Sequence, residues 1–193
     1  MAADLHLPAQ YERRNPVAYD DDTGRTGHHQ AGVYALAGAW PALSILDVGC
    51  GGAHNHWRLQ HCTSLVGVDV PQTVEWLQQH RPSGDWRTAE WGERWQQHFD
   101  VVLMADVLEH LADPCAAMEF ACAHCWGSII ASTPALELLD GSIRRPHGPP
   151  RNSAHAQEWT SQQFLEFAGQ YLANSACIIL RPHTTVVIGC PKP

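Results

Sequence analysis

Short apolar runs alternate with amphipathic stretches through the middle of the chain. The runs typical of buried strands cover residues 44–48, 65–69, 99–105 and 128–132, with a weaker one at 85–88. The stretches with helical character cover residues 33–40, 54–61, 73–80 and 114–125. Because strands alternate with helices, we expect an α/β fold with a parallel sheet covered by helices on both faces.

The alternation changes after Pro134. Residues 135–159 form a connector rich in glycine, proline, histidine and arginine. A helix capped by Thr160 or Ser161 is then expected to run to about Leu172. Two strands are expected to end the chain, at residues 176–180 and 184–189.

The length and composition predict one globular domain. The chain has 193 residues, of which 45% are hydrophobic, and this suffices for a sizeable core. We expect this domain over residues 31–193. Residues 1–30 are polar and interrupted by prolines and glycines, which favours an arm or a lid. No apolar run is long enough to span a membrane and no secretion signal is visible, so we expect a cytoplasmic protein.

The net charge argues against nucleic acid as a partner. The formal charge is −8, and the basic clusters are two arginine pairs, at 13–14 and 144–145. Because phosphate contacts supply much of the affinity for DNA and RNA, such a chain is an improbable nucleic-acid binder. The seven cysteines are an odd number without regular spacing, which is typical of reduced and often buried thiols.

A glycine-rich turn, Gly49-Cys50-Gly51-Gly52, follows the first predicted strand. Without a Cβ atom, such a turn lets the backbone approach a ligand closely. Asp47 stands at the mouth of the turn, where a carboxylate would repel a pyrophosphate but suits a cationic ligand. Asp69 ends the second strand and can accept hydrogen bonds from both hydroxyls of a ribose. These features predict a site for an adenosine derivative that carries positive charge, such as S-adenosylmethionine (SAM).

Four segments together resemble the class I SAM-dependent methyltransferases. They are LDVGCGGA (46–53), VGVDV (66–70), FDVVLMADVLEHLADP (99–114) and ASTP (131–134). Their order and spacing match the family, although the family's third glycine is Ala53 here. The resemblance implies a Rossmann-like fold, with a mostly parallel seven-stranded sheet and an antiparallel C-terminal strand, and it implies SAM as the cofactor.

The resemblance also implies a role for ten residues, each next to one part of the donor. Asp47, Gly49, Cys50 and Gly51 would line the methionine moiety, Asp69 and Val70 would hold the ribose, Glu90 and Trp91 would contact the adenine, and Ala105 and Asp106 would lie beside the amino-acid end. Trp91 could equally serve ordinary packing, as one of eight tryptophans.

Three histidines are candidates for a general base that removes a proton from the acceptor. His110 follows the fourth strand, and His147 and His155 lie in the connector. We expect methyl transfer to a small molecule, with a hydroxyl of a sugar or secondary metabolite as the first choice. N-methylation of a small molecule or a protein side chain, and a SAM-binding module without catalysis, remain open. A monomer or a homodimer is expected.

Two other classes of protein fit less well. A dinucleotide-binding turn needs a third glycine at position 54, where this chain has histidine. A zinc enzyme is suggested by Cys122-x-x-Cys125 and His54-x-His56, but a structural zinc site needs two matched pairs and no second CxxC exists. The sequence therefore predicts neither an NAD-linked oxidoreductase nor a metal site.

Overall fold

The computed structural model describes residues 25–139, 155–180 and 183–193. These residues form the helices α1 (Arg25–Gly38), α2 (Pro71–His80), α3 (Pro114–His124) and α4 (Ser161–Ala168). They form the strands β1 (Ser44–Val48), β2 (Ser64–Val68), β3 (Asp85–Arg87), β4 (Phe99–Ala105), β5 (Cys125–Pro134), β6 (Leu172–Leu180) and β7 (Thr184–Pro191). Short 3₁₀ helices cover His56–Leu59, Leu108–His110 and Leu136–Leu138.

The strands form one seven-stranded sheet in the order β3-β2-β1-β4-β5-β7-β6. Strands β1 to β5 pair in parallel, whereas β7 is antiparallel to both β5 and β6. The predicted α/β fold with a mostly parallel sheet and an antiparallel C-terminal strand is confirmed. In this order the chain reverses direction across the sheet between β1 and β4, which leaves a crevice at the carboxyl ends of these two strands.

Alternate residues of the strands build a separate core on each face of the sheet. Ile45 and Leu103 lie on the face covered by α1, where Ala37 packs on them. Leu46 and Met104 lie on the opposite face, which α3 and α4 cover. Neighbouring strand residues point to opposite faces, so strands buried on both faces need the continuous apolar runs seen in the sequence.

The starts of α3 and α4 follow directly from the local sequence. The side chain of Asp113 caps α3 by accepting a hydrogen bond from the backbone N–H of Ala116, and Pro114 occupies the first turn. Thr160 caps α4 through a reciprocal capping box with Gln163, which confirms the predicted start of this helix. Helix α4 ends at Ala168 rather than near Leu172, and Leu172 instead begins β6.

The helix predicted at residues 54–61 is wrong, because only a single 3₁₀ turn, His56–Leu59, forms there. Ala53 has a positive φ of 55°, so the turn that begins at Gly49 continues through Ala53, beyond the last glycine. Within the 3₁₀ turn Leu59 alone is buried, and a helix with so little apolar surface has no face to pack on the sheet.

Other boundaries differ by several residues from the sequence-based expectation. Strand β5 is longer than predicted and runs over Cys125–Pro134. Helix α1 begins at Arg25, so it crosses the expected boundary between an arm at 1–30 and the domain. Residues 1–24 lie outside the described residues, as does most of the connector. Within the described ranges, no helix combines the length and the apolar character that crossing a bilayer requires.

Candidate active site

The glycine turn folds over the end of β2 and brings the ends of β1 and β2 together. The backbone N–H groups of Gly49 and Cys50 both donate to the carbonyl oxygen of Val68, over 2.7 and 3.1 Å. Gly49 and Gly51 have positive φ angles of 73° and 51°, which explains the glycines at these positions. The turn exists because the backbone can adopt a conformation that other residues rarely take.

The two glycines face very different surroundings. A Cβ atom on Gly49 would lie 2.5 Å from a methyl group of Val107, so this glycine allows the loop after β4 to pack on the turn. A Cβ atom on Gly51 would meet no atom within 4 Å. The space in front of Gly51 is therefore open, and a ligand could approach the backbone there.

Asp47 is fully buried near the end of β1, beneath the turn. Its Oδ2 atom accepts a hydrogen bond from the hydroxyl of Tyr34 and lies 2.7 Å from Nε2 of His56. Its Oδ1 atom is buried without any hydrogen-bond partner. Burial, followed by the charge of Asp47, holds the pKa of Tyr34 well above its usual range, so the tyrosine remains a donor. One carboxylate oxygen is thus fixed by two side chains, and the other is buried without a hydrogen-bond partner.

Asp69 lies at the opposite side of the turn, directly after β2. Its Oδ2 atom accepts from the N–H of Gly51 over 2.8 Å, and Oδ1 accepts from the N–H of Val70 over 2.8 Å. Burial raises the pKa of Asp69 above its ordinary value, and the negative charge of Asp47 adds to this. Burial and the same two carboxylates also raise the pKa of Cys50, so its thiol stays protonated. The turn therefore lies between two carboxyl groups.

The end of β4 closes the crevice from the other side. Ala105 is buried, and its carbonyl oxygen accepts from the side chain of Gln30 in α1. Asp106 follows with a positive φ of 54°, a strained conformation for a residue with a side chain. Ser132 holds it there, since its hydroxyl donates to Oδ1 of Asp106 over 2.7 Å. Strain of this kind concentrates at binding sites, so the predicted place of Asp106 is physically reasonable.

The two residues expected next to the adenine differ in exposure. Glu90 is exposed, whereas Trp91 is 8% exposed and packs edge-on against Phe120 of α3 with ring centroids 5.6 Å apart. Trp91 therefore belongs to the core beneath the sheet, in agreement with its alternative packing role. Contact of either residue with adenine stays a prediction.

Two of the three candidate histidines meet just beyond β4. The rings of His110 and His155 lie in an edge-to-face arrangement with centroids 4.9 Å apart, and Nδ1 of His155 lies 3.1 Å from Oε1 of Glu158. The third candidate, His147, lies outside the described residues. Glu109, beside His110, is buried, and burial followed by the charge of Asp106 raises its pKa well above the usual range.

Sequence reasoning missed three residues of this region. Tyr34 and His56 contact Asp47, and Glu109 lies beside His110 in the 3₁₀ turn Leu108–His110. Tyr34 gives no signal in the sequence, because its contact depends on how α1 packs on β1. The histidine of His54-x-His56 attracted attention only as a metal ligand. The backbone of Glu109 accepts hydrogen bonds from Ala156 and Gln157, which are distant in the sequence.

Cys122 and Cys125, the residues of the CxxC pair, lie on two different secondary-structure elements. Both thiols are free, with Cys122 in α3 and Cys125 at the first position of β5. Burial raises the pKa of each to about 11, so both stay protonated at neutral pH.

The fold and this crevice define a class of protein. A doubly wound sheet carries a glycine turn at the end of β1, an acidic residue at the end of β2, and a strained loop after β4, which is the arrangement for binding a nucleoside-containing cofactor. A family model described as a methyltransferase domain matches residues 12–171 of the chain. The chain therefore belongs to this methyltransferase family, and the predicted class is confirmed.

Solved structures of other proteins share the fold. The PH0226 protein of Pyrococcus horikoshii OT3 matches with a TM-score of 0.70 and 14% identity, over 96% of this chain and 100% of that one. The N-methyltransferase NodS of Bradyrhizobium japonicum, solved with S-adenosylhomocysteine, gives 0.63 and 16% over 94% of each chain. An O-methyltransferase family protein of Burkholderia thailandensis gives 0.64 and 15% over 100% of this chain and 65% of that one. No curated protein matches the sequence.

Proposed function

We propose that this methyltransferase transfers the methyl group of SAM to a hydroxyl group of a small molecule. The observation that carries the proposal is the buried carboxylate of Asp47, whose Oδ1 atom has no hydrogen-bond partner. Burying an unpaired polar atom is costly, so the site needs a ligand that supplies a donor or a positive charge. The ammonium and sulfonium groups of SAM supply that charge, whereas the pyrophosphate of NAD would be repelled.

The surroundings of Asp47 supply the other contacts that such a donor needs. The space in front of Gly51 is open, and we propose that the ligand approaches the backbone there and that the carboxyl group of Asp69 accepts hydrogen bonds from its ribose. The structural relatives add support for the donor, since NodS was solved with the demethylated product of SAM. The donor is S-adenosylmethionine.

A hydroxyl acceptor is favoured by the histidines beyond β4. Methyl transfer to a hydroxyl needs removal of a proton, whereas many amines need no dedicated base. His110 and His155 contact each other at the carboxyl end of the sheet, where acceptors bind in such folds, and histidine is the side chain that most often serves as a general base. The net charge of −8 favours a small molecule over a nucleic acid.

Transfer of a labelled methyl group tests the proposal. The protein is incubated with methyl-labelled SAM and with matched acceptor panels that carry hydroxyl groups, amino groups or protein side chains. We expect label on hydroxyl compounds and none on the matched amines. Label only on amines would make the chain an N-methyltransferase, and saturable SAM binding without transfer to any panel would favour a regulatory module. Both results would overturn the hydroxyl assignment.

A further inference from the structure

Glu109 is a buried carboxyl group. The residue is 1% exposed, and neither Oε1 nor Oε2 has a partner with the geometry of a hydrogen bond, although the hydroxyl of Thr133 is nearby. Burying a carboxyl group is costly, and a cation beside it would offset that cost.

Two imidazoles stand next to this carboxyl group. Each of Glu109, His110 and His155 offers one potential ligand atom. These three atoms all lie within 4.8 Å of one another. The imidazole rings are inclined at 76° to each other, so they approach from different directions. Three donor atoms this close can share a single ion.

Backbone hydrogen bonds fix the position of the three residues. The N–H groups of Ala156 and Gln157 both donate to the carbonyl oxygen of Glu109, over 2.7 and 3.2 Å. The side chain of Gln157 also donates to the carbonyl oxygen of Leu108. The end of the connector is thereby fastened to the 3₁₀ turn Leu108–His110, which holds donor groups from distant parts of the chain in register.

A second carboxylate orients one of the imidazoles. Nδ1 of His155 lies 3.1 Å from Oε1 of Glu158, and the two side chains are only 7% and 10% exposed. A proton on Nδ1 that is donated to Glu158 leaves Nε2 as the nitrogen that can coordinate. Metal-bound histidines commonly have such a carboxylate behind them, because it fixes the tautomer and the ring orientation.

We propose that Glu109, His110 and His155 bind one divalent transition-metal ion. Two imidazole nitrogens and one carboxylate oxygen suit zinc, cobalt, manganese or ferrous iron, whereas magnesium and calcium prefer oxygen ligands alone. Three protein ligands leave coordination positions for water or another oxygen. The proposal revises the sequence-based expectation of no metal, which considered cysteine pairs and neighbouring histidines and not residues so far apart in the chain.

The site would also give the proposed reaction a different way to activate its acceptor. If the O-methyl transfer proposed above is correct, a hydroxyl oxygen in an open coordination position would lose its proton more readily. The two histidines would then act through the ion instead of as free bases. This role rests on the proposed function, but the metal site does not.

Cobalt binding tests the site without SAM or any acceptor. Protein freed of metal by a chelator is titrated with Co²⁺ under reducing conditions, and the visible absorption of the ion is followed. We expect saturable uptake of one equivalent, with no charge-transfer band from cysteine thiolates. Removal of Glu109's charge in Glu109→Gln, or of one ligand in His155→Ala, should weaken uptake more than about tenfold. The matched control His80→Ala, which alters an exposed residue at the end of α2, should bind as the unaltered protein does.

Two variants keep the test decisive if one of them fails to fold, and circular dichroism checks each of them. The absence of saturable uptake by the unaltered protein would overturn the proposal. Uptake that shows a thiolate band, or that survives both Glu109→Gln and His155→Ala, would place the ion elsewhere and overturn it too. The cobalt titration measures metal binding alone. A negative titration therefore does not bear on the methyl-transfer assay, and a negative methyl-transfer assay does not bear on the metal site.

Discussion

Oδ2 of Asp69 accepts a hydrogen bond from the backbone N–H of Gly51 over 2.8 Å. The bond joins the end of β2 to the turn after β1, so two residues 18 positions apart form one wall of the crevice. Asp69 therefore shapes the turn and, in our proposal, also accepts the ribose hydroxyls of SAM. Substitution of Asp69 should therefore weaken ligand binding by changing the turn and by removing the proposed contact with the ribose.

We expect Asp69→Ala to weaken SAM binding more than about tenfold while the fold persists. Hydrogen bonds to a charged group contribute about 1.5–3 kcal/mol each, and about 1.4 kcal/mol corresponds to a factor of ten in affinity. Isothermal titration calorimetry measures the loss. Asp85→Ala, an exposed aspartate of β3, serves as the control and should bind normally. Unchanged affinity in Asp69→Ala would remove this residue from the proposed site.

Gly51→Val should abolish SAM binding. The space in front of Gly51 is open, and a valine side chain would fill the volume that the donor is proposed to occupy. The positive φ of 51° also strains a β-branched residue, so thermal unfolding must be measured beside binding. The smaller Gly51→Ala should give an intermediate affinity. If folded Gly51→Val bound SAM normally, the donor could not lie against this turn.

His110→Ala should lower turnover on the order of a hundredfold and leave SAM affinity nearly unchanged. The imidazole of His110 contacts that of His155, beyond the proposed donor site, so its loss affects the acceptor step. The measurement compares the rate of methyl transfer with the calorimetric dissociation constant for SAM. Equal losses in both quantities would indicate a structural role for His110.

The contribution of His124 to the stability of the fold should decrease as the pH falls, because this residue is buried in its neutral form. Nδ1 of His124 donates a hydrogen bond to the carbonyl oxygen of Phe120, and Nε2 accepts one from the backbone N–H of Trp95. Because Nε2 acts as an acceptor, it carries no proton and the ring is neutral. Burial lowers the pKa of His124, and the nearby His98 and Arg94 act in the same direction, while Glu93 opposes them.

The sign of this effect follows from the lowered pKa. The unfolded chain binds a proton near pH 6.5 and the folded chain resists it, so the stabilisation is complete above that pH and is lost below it. The part of the thermal midpoint that depends on His124 should therefore fall between about pH 7.5 and about pH 5. In His124→Gln the amide oxygen can still accept from Trp95, and we expect a smaller fall over the same range. Identical pH profiles would contradict the assignment.

The fold could be predicted from sequence to a large extent because its strands are buried on both faces. Continuous apolar runs such as 99–105 leave little choice of structure, and strand β4 was predicted at its observed bounds, Phe99–Ala105. The prediction of a helix at 54–61 was wrong. The segment has no apolar face that could pack on the sheet, and only one 3₁₀ turn forms there. The start of α1 was missed, since the prediction for residues 1–30 relied on prolines and glycines as helix breakers.

The site could be predicted only where its residues lie in consecutive motifs. Asp47, Gly51 and Asp69 stand at strand ends that the hydrophobic pattern locates, so their proximity follows from the parallel sheet. The bond from Tyr34 to Asp47, and the arrangement of Glu109 beside His155, depend on packing between segments distant in sequence. No local pattern encodes contacts of that kind.

Calorimetric titration of the unaltered protein with SAM tests the central claim most directly. We predict saturable binding of one equivalent of SAM and of S-adenosylhomocysteine, and no heat from NAD at the same concentrations. Protein that is folded by circular dichroism and yet takes up neither SAM nor its demethylated product would contradict the account.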